Sequence, residues 1–148
     1  MDTSSFFIYP TVEGQASGAA AGFLDNATER EWDALLSYMQ TRHLRSGETL
    51  FREGAADRAL YLLTAGRLEL SSTRTPATPA QAPAPLNELA FLDGGPCDAS
   101  ARAVTPSEVA RLSFEAFESL AAREPHLGRT ILLDLGAILA RRLRTTAV

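Results

Sequence analysis

The 148-residue sequence predicts a mainly β domain, a jelly-roll-like double-stranded β-helix with one helix before it and two after it. Three observations carry that expectation. Apolar residues recur at helical spacing near residue 30 and again beyond residue 113. Between Leu44 and Ser113 they instead alternate in short runs broken by glycine. Short strands with glycine turns suit a sandwich or roll better than a parallel α/β sheet. With 45% hydrophobic and 22% charged residues, the chain can fill one ordinary core but not two.

Residues 1–25 read as an N-terminal arm, with an aromatic cluster at Phe6, Phe7, Ile8 and Tyr9 ahead of a Gly/Ala/Ser-rich stretch. Residues 26–148 read as the domain proper. In "ATEREWDALLSYMQ", Thr28 and Glu31 have capping-box spacing, and Trp32, Leu35, Leu36 and Met39 follow at i, i+3, i+4, i+7. The period then shortens: Gly47, Gly54 and Gly66 punctuate the next stretch, where Leu68 and Leu70 alternate with Arg67, Glu69 and Ser71. "RTPATPAQAPAP", residues 74–85, has four prolines and is expected to be a flexible loop or polyproline-like strap. "ASARAV" and "SEVARLS" are further strand candidates. Ser113 is placed to cap a helix running to Pro125, and a second helix over 125–144 carries Leu127, Ile131, Leu132, Leu135, Ile138, Leu139 and Leu143.

Composition narrows the function classes. A net charge of -4 gives no global field for a polyanion, and the one dense basic cluster is Arg141, Arg142 and Arg144. One cysteine and two distant histidines, His43 and His126, make neither an internal disulfide nor a metal motif. No nucleophile, base and orienting acid stand in an arrangement that suggests catalysis, so neither enzymatic activity nor a cofactor is expected. The N-terminal segment lacks the pattern of a signal peptide and no window is apolar enough to span a bilayer; the chain is expected to be cytoplasmic.

"LRSGETLFREGAADRALYLLTAGRLEL" and "NELAFLDGGPCDASARA" together resemble the cyclic nucleotide-binding domain, the roll of the bacterial catabolite activator, kinase regulatory subunits and gated channels. The second segment, within residues 86–103, is similar to that family's phosphate-binding cassette, usually Phe-Gly-Glu-Leu-Ala-Leu, a turn, Pro-Arg and small residues. The resemblance implies that Glu88 accepts from a ribose hydroxyl, while a short helix and an arginine hold the cyclic phosphate. Here Glu88, Leu89, Ala90 and Pro96 keep the pattern, but Asn87 replaces the glycine, Cys97 the arginine, and Asp98 a small residue. The candidate ligand-binding set is therefore Asn87, Glu88, Leu89, Ala90, Cys97, Asp98, Ala99, Ser100 and Arg102. Whether Arg102 faces the pocket, and so replaces the lost cation, depends on a strand face that alternation leaves open.

The expectation is a non-enzymatic regulatory or interaction module that does not bind cyclic AMP in the ordinary mode. The alternative is a sensor of altered specificity that uses Glu88. By the same resemblance the helix over 125–144 acts as a lid or homodimer element through Leu132, Leu135, Leu139 and Leu143. The segment from Leu112 to Arg144 is also similar to domains appended to bacterial sulfate permease-like transporters, which suggests a transporter or signalling protein as partner. A cyclic nucleotide is not expected as a partner. Nor is direct DNA contact, since the chain stops at Val148.

Overall fold

A computed structural model describes residues 23–146. In chain order the elements are α1 (Glu29–Ser37), β1 (Gln40–Leu44), β2 (Thr49–Phe51), β3 (Ala59–Ala65), β4 (Arg67–Ser71), β5 (Thr78–Gln81), β6 (Ala84–Leu86), α2 (Glu88–Asp93), β7 (Ser100–Ala103), β8 (Ser107–Ser113), α3 (Phe114–Arg123) and α4 (Pro125–Thr146). They divide between a helical unit, whose described residues are 23–38 and 115–146, and a β unit of residues 39–114. The cluster Phe6 to Tyr9 lies outside the described residues.

In the helical unit, Thr28 and Glu31 form the expected capping box: the Thr28 hydroxyl accepts from the Glu31 N–H at 3.1 Å, and the Glu31 carboxylate accepts from the Thr28 N–H at 2.9 Å. Trp32 and Leu35 are buried. The helix stops at Ser37, so Met39 lies outside the stripe the spacing assigned it to. Phe23 meets Trp32 edge-on at 6.5 Å, and the Leu24 N–H donates to Asp134 at 2.8 Å, so the last residues of the segment read as an arm are packed. Ser113, read as a cap, closes β8 and directly precedes α3. On α4, Leu127, Ile131, Leu135 and Ile138 are buried. Of the four leucines expected to form one dimer face, Leu135 is fully buried, whereas Leu132 is 41% and Leu143 70% exposed. Among the described residues no helix is long and apolar enough to cross a membrane.

The β unit holds two four-stranded sheets of antiparallel pairs, ordered β1-β8-β3-β6 and β2-β7-β4-β5. The chain changes sheets repeatedly, and two of these corners lie between β3 and β4 at Gly66 and between β7 and β8. These two corners touch: the Val104 N–H donates to the Arg67 carbonyl at 2.9 Å and the Ser107 hydroxyl to the same oxygen at 3.3 Å.

Register fixes which side chains face inward. Tyr61 pairs with Arg111 and Leu63 with Val109 on one face of the first sheet, while Leu60 pairs with Leu112 and Leu62 with Ala110 on the other. The Phe51 ring, from the second sheet, lies 5.3 Å from Tyr61, so the Tyr61 and Arg111 face looks into the roll. In the second sheet, Leu68 opposite Ala103 and Leu70 opposite Ala101 face inward, whereas Glu69 opposite Arg102 faces out.

The proline-rich run departs from expectation. Residues 78–81 and 84–86 form β5 and β6, and Pro79 and Pro85 lie within them. Both strands sit at the edge of their sheets, where proline's missing N–H costs no central ladder bond. The second of these strands leads straight into the cassette, supplying a wall that the sequence pattern had not offered.

Candidate functional site

Asn87 begins the cassette with φ 67 and ψ 31, the left-handed conformation that glycine supplies and that asparagine adopts more readily than most residues. Its substitution therefore leaves the backbone path intact. The side chain also ties the cassette to the preceding loop, since Nδ2 donates to the Asp57 carbonyl at 3.0 Å and to the Ala59 carbonyl at 2.9 Å. At the far end of α2, Arg58 Nε donates to the Phe91 carbonyl and Nη2 to the Leu92 carbonyl, each at 3.0 Å. A cation on the last carbonyls of a helix is favoured by its unsatisfied acceptors. The same guanidinium stacks 3.5 Å above the Phe114 ring.

Cys97 closes the cassette. Its N–H donates to Ala55 at 2.9 Å and its carbonyl accepts from Gly54 at 2.8 Å. The loop of residues 54–58 is thus clasped by the cassette at both ends. Cys97 is only 2% exposed. Burial pushes its thiol pKa up and the Asp57 charge adds to this, while a hydrogen bond from the Asn87 side chain pulls it down. A protonated, enclosed thiol is a small packing group and a poor nucleophile. Asn87 Oδ1 is buried with no hydrogen-bond partner among the described residues.

Beside this lies a polar cluster that inspection of the cassette alone misses. Arg111 Nη2 donates to Asp57 Oδ1 at 2.8 Å, Arg111 Nε to the Tyr61 hydroxyl at 3.2 Å, and that hydroxyl to Asp57 Oδ2 at 2.6 Å. Burial works against the Arg111 charge, but its bonds to Asp57 and Tyr61 outweigh this and hold the guanidinium protonated. Tyr61 is pushed up to about 12, chiefly by burial and then by its bond to Asp57. A phenol whose pKa is raised on folding stabilises the fold fully below its unfolded value, near 10, and that contribution disappears as pH rises toward 12. Unfolding measured across this window should show a steeper alkaline loss of stability in the parent chain than in Tyr61→Phe. Equal slopes would refute the assignment.

The structure gathers Asn87, Glu88, Ala90 and Cys97 into buried positions and leaves Leu89 and Asp98 exposed. Ala99 is half-buried. The Ser100 hydroxyl accepts from the Glu53 N–H at 2.8 Å, which commits it to holding the neighbouring loop. Arg102 is not brought to the site: it alternates with buried Ala101 and Ala103 and pairs outward with Glu69 at 3.6 Å. Of the residues sequence reasoning missed, Arg111 had a usable signal, since it shares strand parity with Val109 in "SEVARLS". Asp57 and Arg58 sit in a loop and had none.

The model of the cyclic nucleotide-binding domain matches residues 41–124, more than half of the chain. The chain belongs to the cyclic nucleotide-binding domain family. It is 37% identical over 121 residues to the cyclic AMP receptor protein of Thermus thermophilus, covering 77% of this chain and 53% of that one. It is 27% identical over 133 residues to a CRP-like cAMP-activated global transcriptional regulator of Mycobacterium tuberculosis, covering 86% of this chain and 58% of the relative. Among solved structures, the Thermus thermophilus catabolite activator protein superposes with a TM-score of 0.73 at 30% identity, over 84% of this chain and 59% of that one. A cyclic nucleotide-binding domain from Methylobacillus flagellatus gives 0.73 at 29% identity, over 80% and 69%.

These relatives correct the expected partners. This cyclic nucleotide-binding domain spans little more than half the length of the curated relatives it matches, so its end at Val148 gives no ground for setting DNA aside. Their names, a cyclic AMP receptor and a cAMP-activated regulator of transcription, likewise overturn the exclusion of cyclic nucleotides. The setting those names share is transcriptional regulation.

Proposed function

We propose that this chain is a regulatory domain whose cassette keeps the ribose-facing frame but does not hold a cyclic phosphate by the family's ordinary arginine pairing. The observation that carries this reading is the Cys97 position. In place of a cation it has an enclosed, protonated thiol. A phosphate brings only acceptors, and here it is offered at most a weak S–H donor in place of a guanidinium. A charge-assisted hydrogen bond is worth roughly 1.5–3 kcal/mol, and its loss corresponds to about ten- to a hundredfold in affinity. Glu88, buried at the head of α2, keeps the carboxylate that suits a ribose diol. The names of the relatives support ligand-linked control of transcription as the output.

Isothermal titration at low salt with cyclic AMP and with adenosine tests this, because the two differ in the phosphate. The expected result is that the phosphate adds less than about tenfold in affinity. Cyclic AMP binding more than a hundredfold tighter than adenosine would overturn the reading.

A further inference from the structure

Leu63, Leu68, Ala101, Ala103 and Val109 are buried on the inward faces of the two sheets. Arg111 shares the inward face of Tyr61, whose ring stands against Phe51 of the opposite sheet. Its side chain is 36% exposed. Its partner Asp57 belongs to the loop clasped by the cassette: the Asp57 carbonyl accepts from Asn87, and the backbone of Gly54 and Ala55 pairs with Cys97. Arg111 is therefore one ion pair removed from a loop that holds Asn87 and Cys97, two of the three positions at which this cassette departs from its family. Arg102, the nearer arginine in sequence, faces outward.

The geometry points to Arg111 as the residue that receives the anionic group of a ligand in this roll, with Asp57 occupying it until that group arrives. Asp57 lies against the guanidinium as a resident carboxylate, and an incoming phosphate monoanion or diester takes its place on the same donors. Planar guanidinium donors suit either oxyanion. Tyr61, bonded to both partners, keeps the guanidinium oriented during the exchange. The inference rests on the proposed loss of the arginine pairing, since it supplies the cation that the cassette lacks. It also accounts for a weak phosphate contribution in the parent chain, where the ligand must first displace an internal competitor.

The test is isothermal titration of the full chain with cyclic AMP and adenosine as probes, comparing the parent with Asp57→Asn, Arg111→Gln, the double variant and Arg102→Gln. Asp57→Asn removes the competitor and should tighten cyclic AMP by about tenfold or more while leaving adenosine unchanged. The double variant should lose that gain, and Arg102→Gln should match the parent. The double variant removes both charges together, so it leaves no unpaired ion and stays informative even if Arg111→Gln alone unfolds. A gain that survives in the double variant, or no gain in Asp57→Asn, overturns the inference and leaves the Cys97 reading standing. Absence of binding by every variant to both probes overturns it as well. A parent chain that strongly prefers cyclic AMP through Cys97 and Asn87, untouched by either Arg111 variant, overturns both.

Discussion

Replacing Gly66 with alanine should destabilise the β unit by about 2–4 kcal/mol, the sum of a left-handed backbone penalty and overpacking at a closed corner. Gly66 has φ +93, and a Cβ there would stand 2.7 Å from the Pro106 carbonyl oxygen and 2.8 Å from Ser107 Cα. Those neighbours are backbone of the other corner, so they cannot swing aside as a long side chain would. Gly54 is the control. It has a similar φ of +86 but nothing within 4 Å of a built Cβ, so Gly54→Ala should cost only the backbone term, about 1–2 kcal/mol. Thermal or urea unfolding of both variants separates the two effects. Equal losses would mean that the contact between the corners adds nothing.

The second large effect is a gain. Cys97→Arg with Asp98→Ala should restore the family's phosphate pair and raise cyclic AMP affinity by about ten- to a hundredfold over the parent, with adenosine unaffected. Asn87→Gly should add to the gain by clearing the side chain that packs against Cys97, at a cost in stability, because the Asp57 and Ala59 carbonyls lose their donor. Titration with the two probes measures the first effect and thermal unfolding the second. If the restored arginine gives no phosphate-specific gain, the subsite is closed by its shape and the missing charge is a secondary matter.

Much of the fold was legible in the sequence because its signals are local. The Thr28 and Glu31 cap, the glycine corners and the alternating leucines of β4 each follow from a few adjacent residues. The edge strands β5 and β6 were not legible: proline argues against a ladder, and only the final strand order shows that no ladder bond was needed on that side. The cassette was found by its own pattern, and the inward or outward sense of Arg102 was settled by a register that no single strand contains. The Asp57, Tyr61 and Arg111 cluster joins residues up to 54 positions apart, and long-range pairing leaves no trace in a window of sequence. Asn87 shows the opposite case. As a letter it looked like damage to a glycine position, yet its left-handed backbone and two carbonyl bonds make it a working part of the turn.

The prolines of β5 and β6 also bear on how the molecule behaves in concentrated solution. A sheet edge is a template on which a stray strand can grow, and growth needs a run of free N–H groups. Pro79 and Pro85 interrupt that run on one edge of each sheet, so two of the four open borders are poor seeds for runaway strand addition. A third, β1, carries Arg42 and His43 on exposed positions, where charge discourages close approach. The same residues that obscured the strands in the sequence protect the folded roll against aggregation.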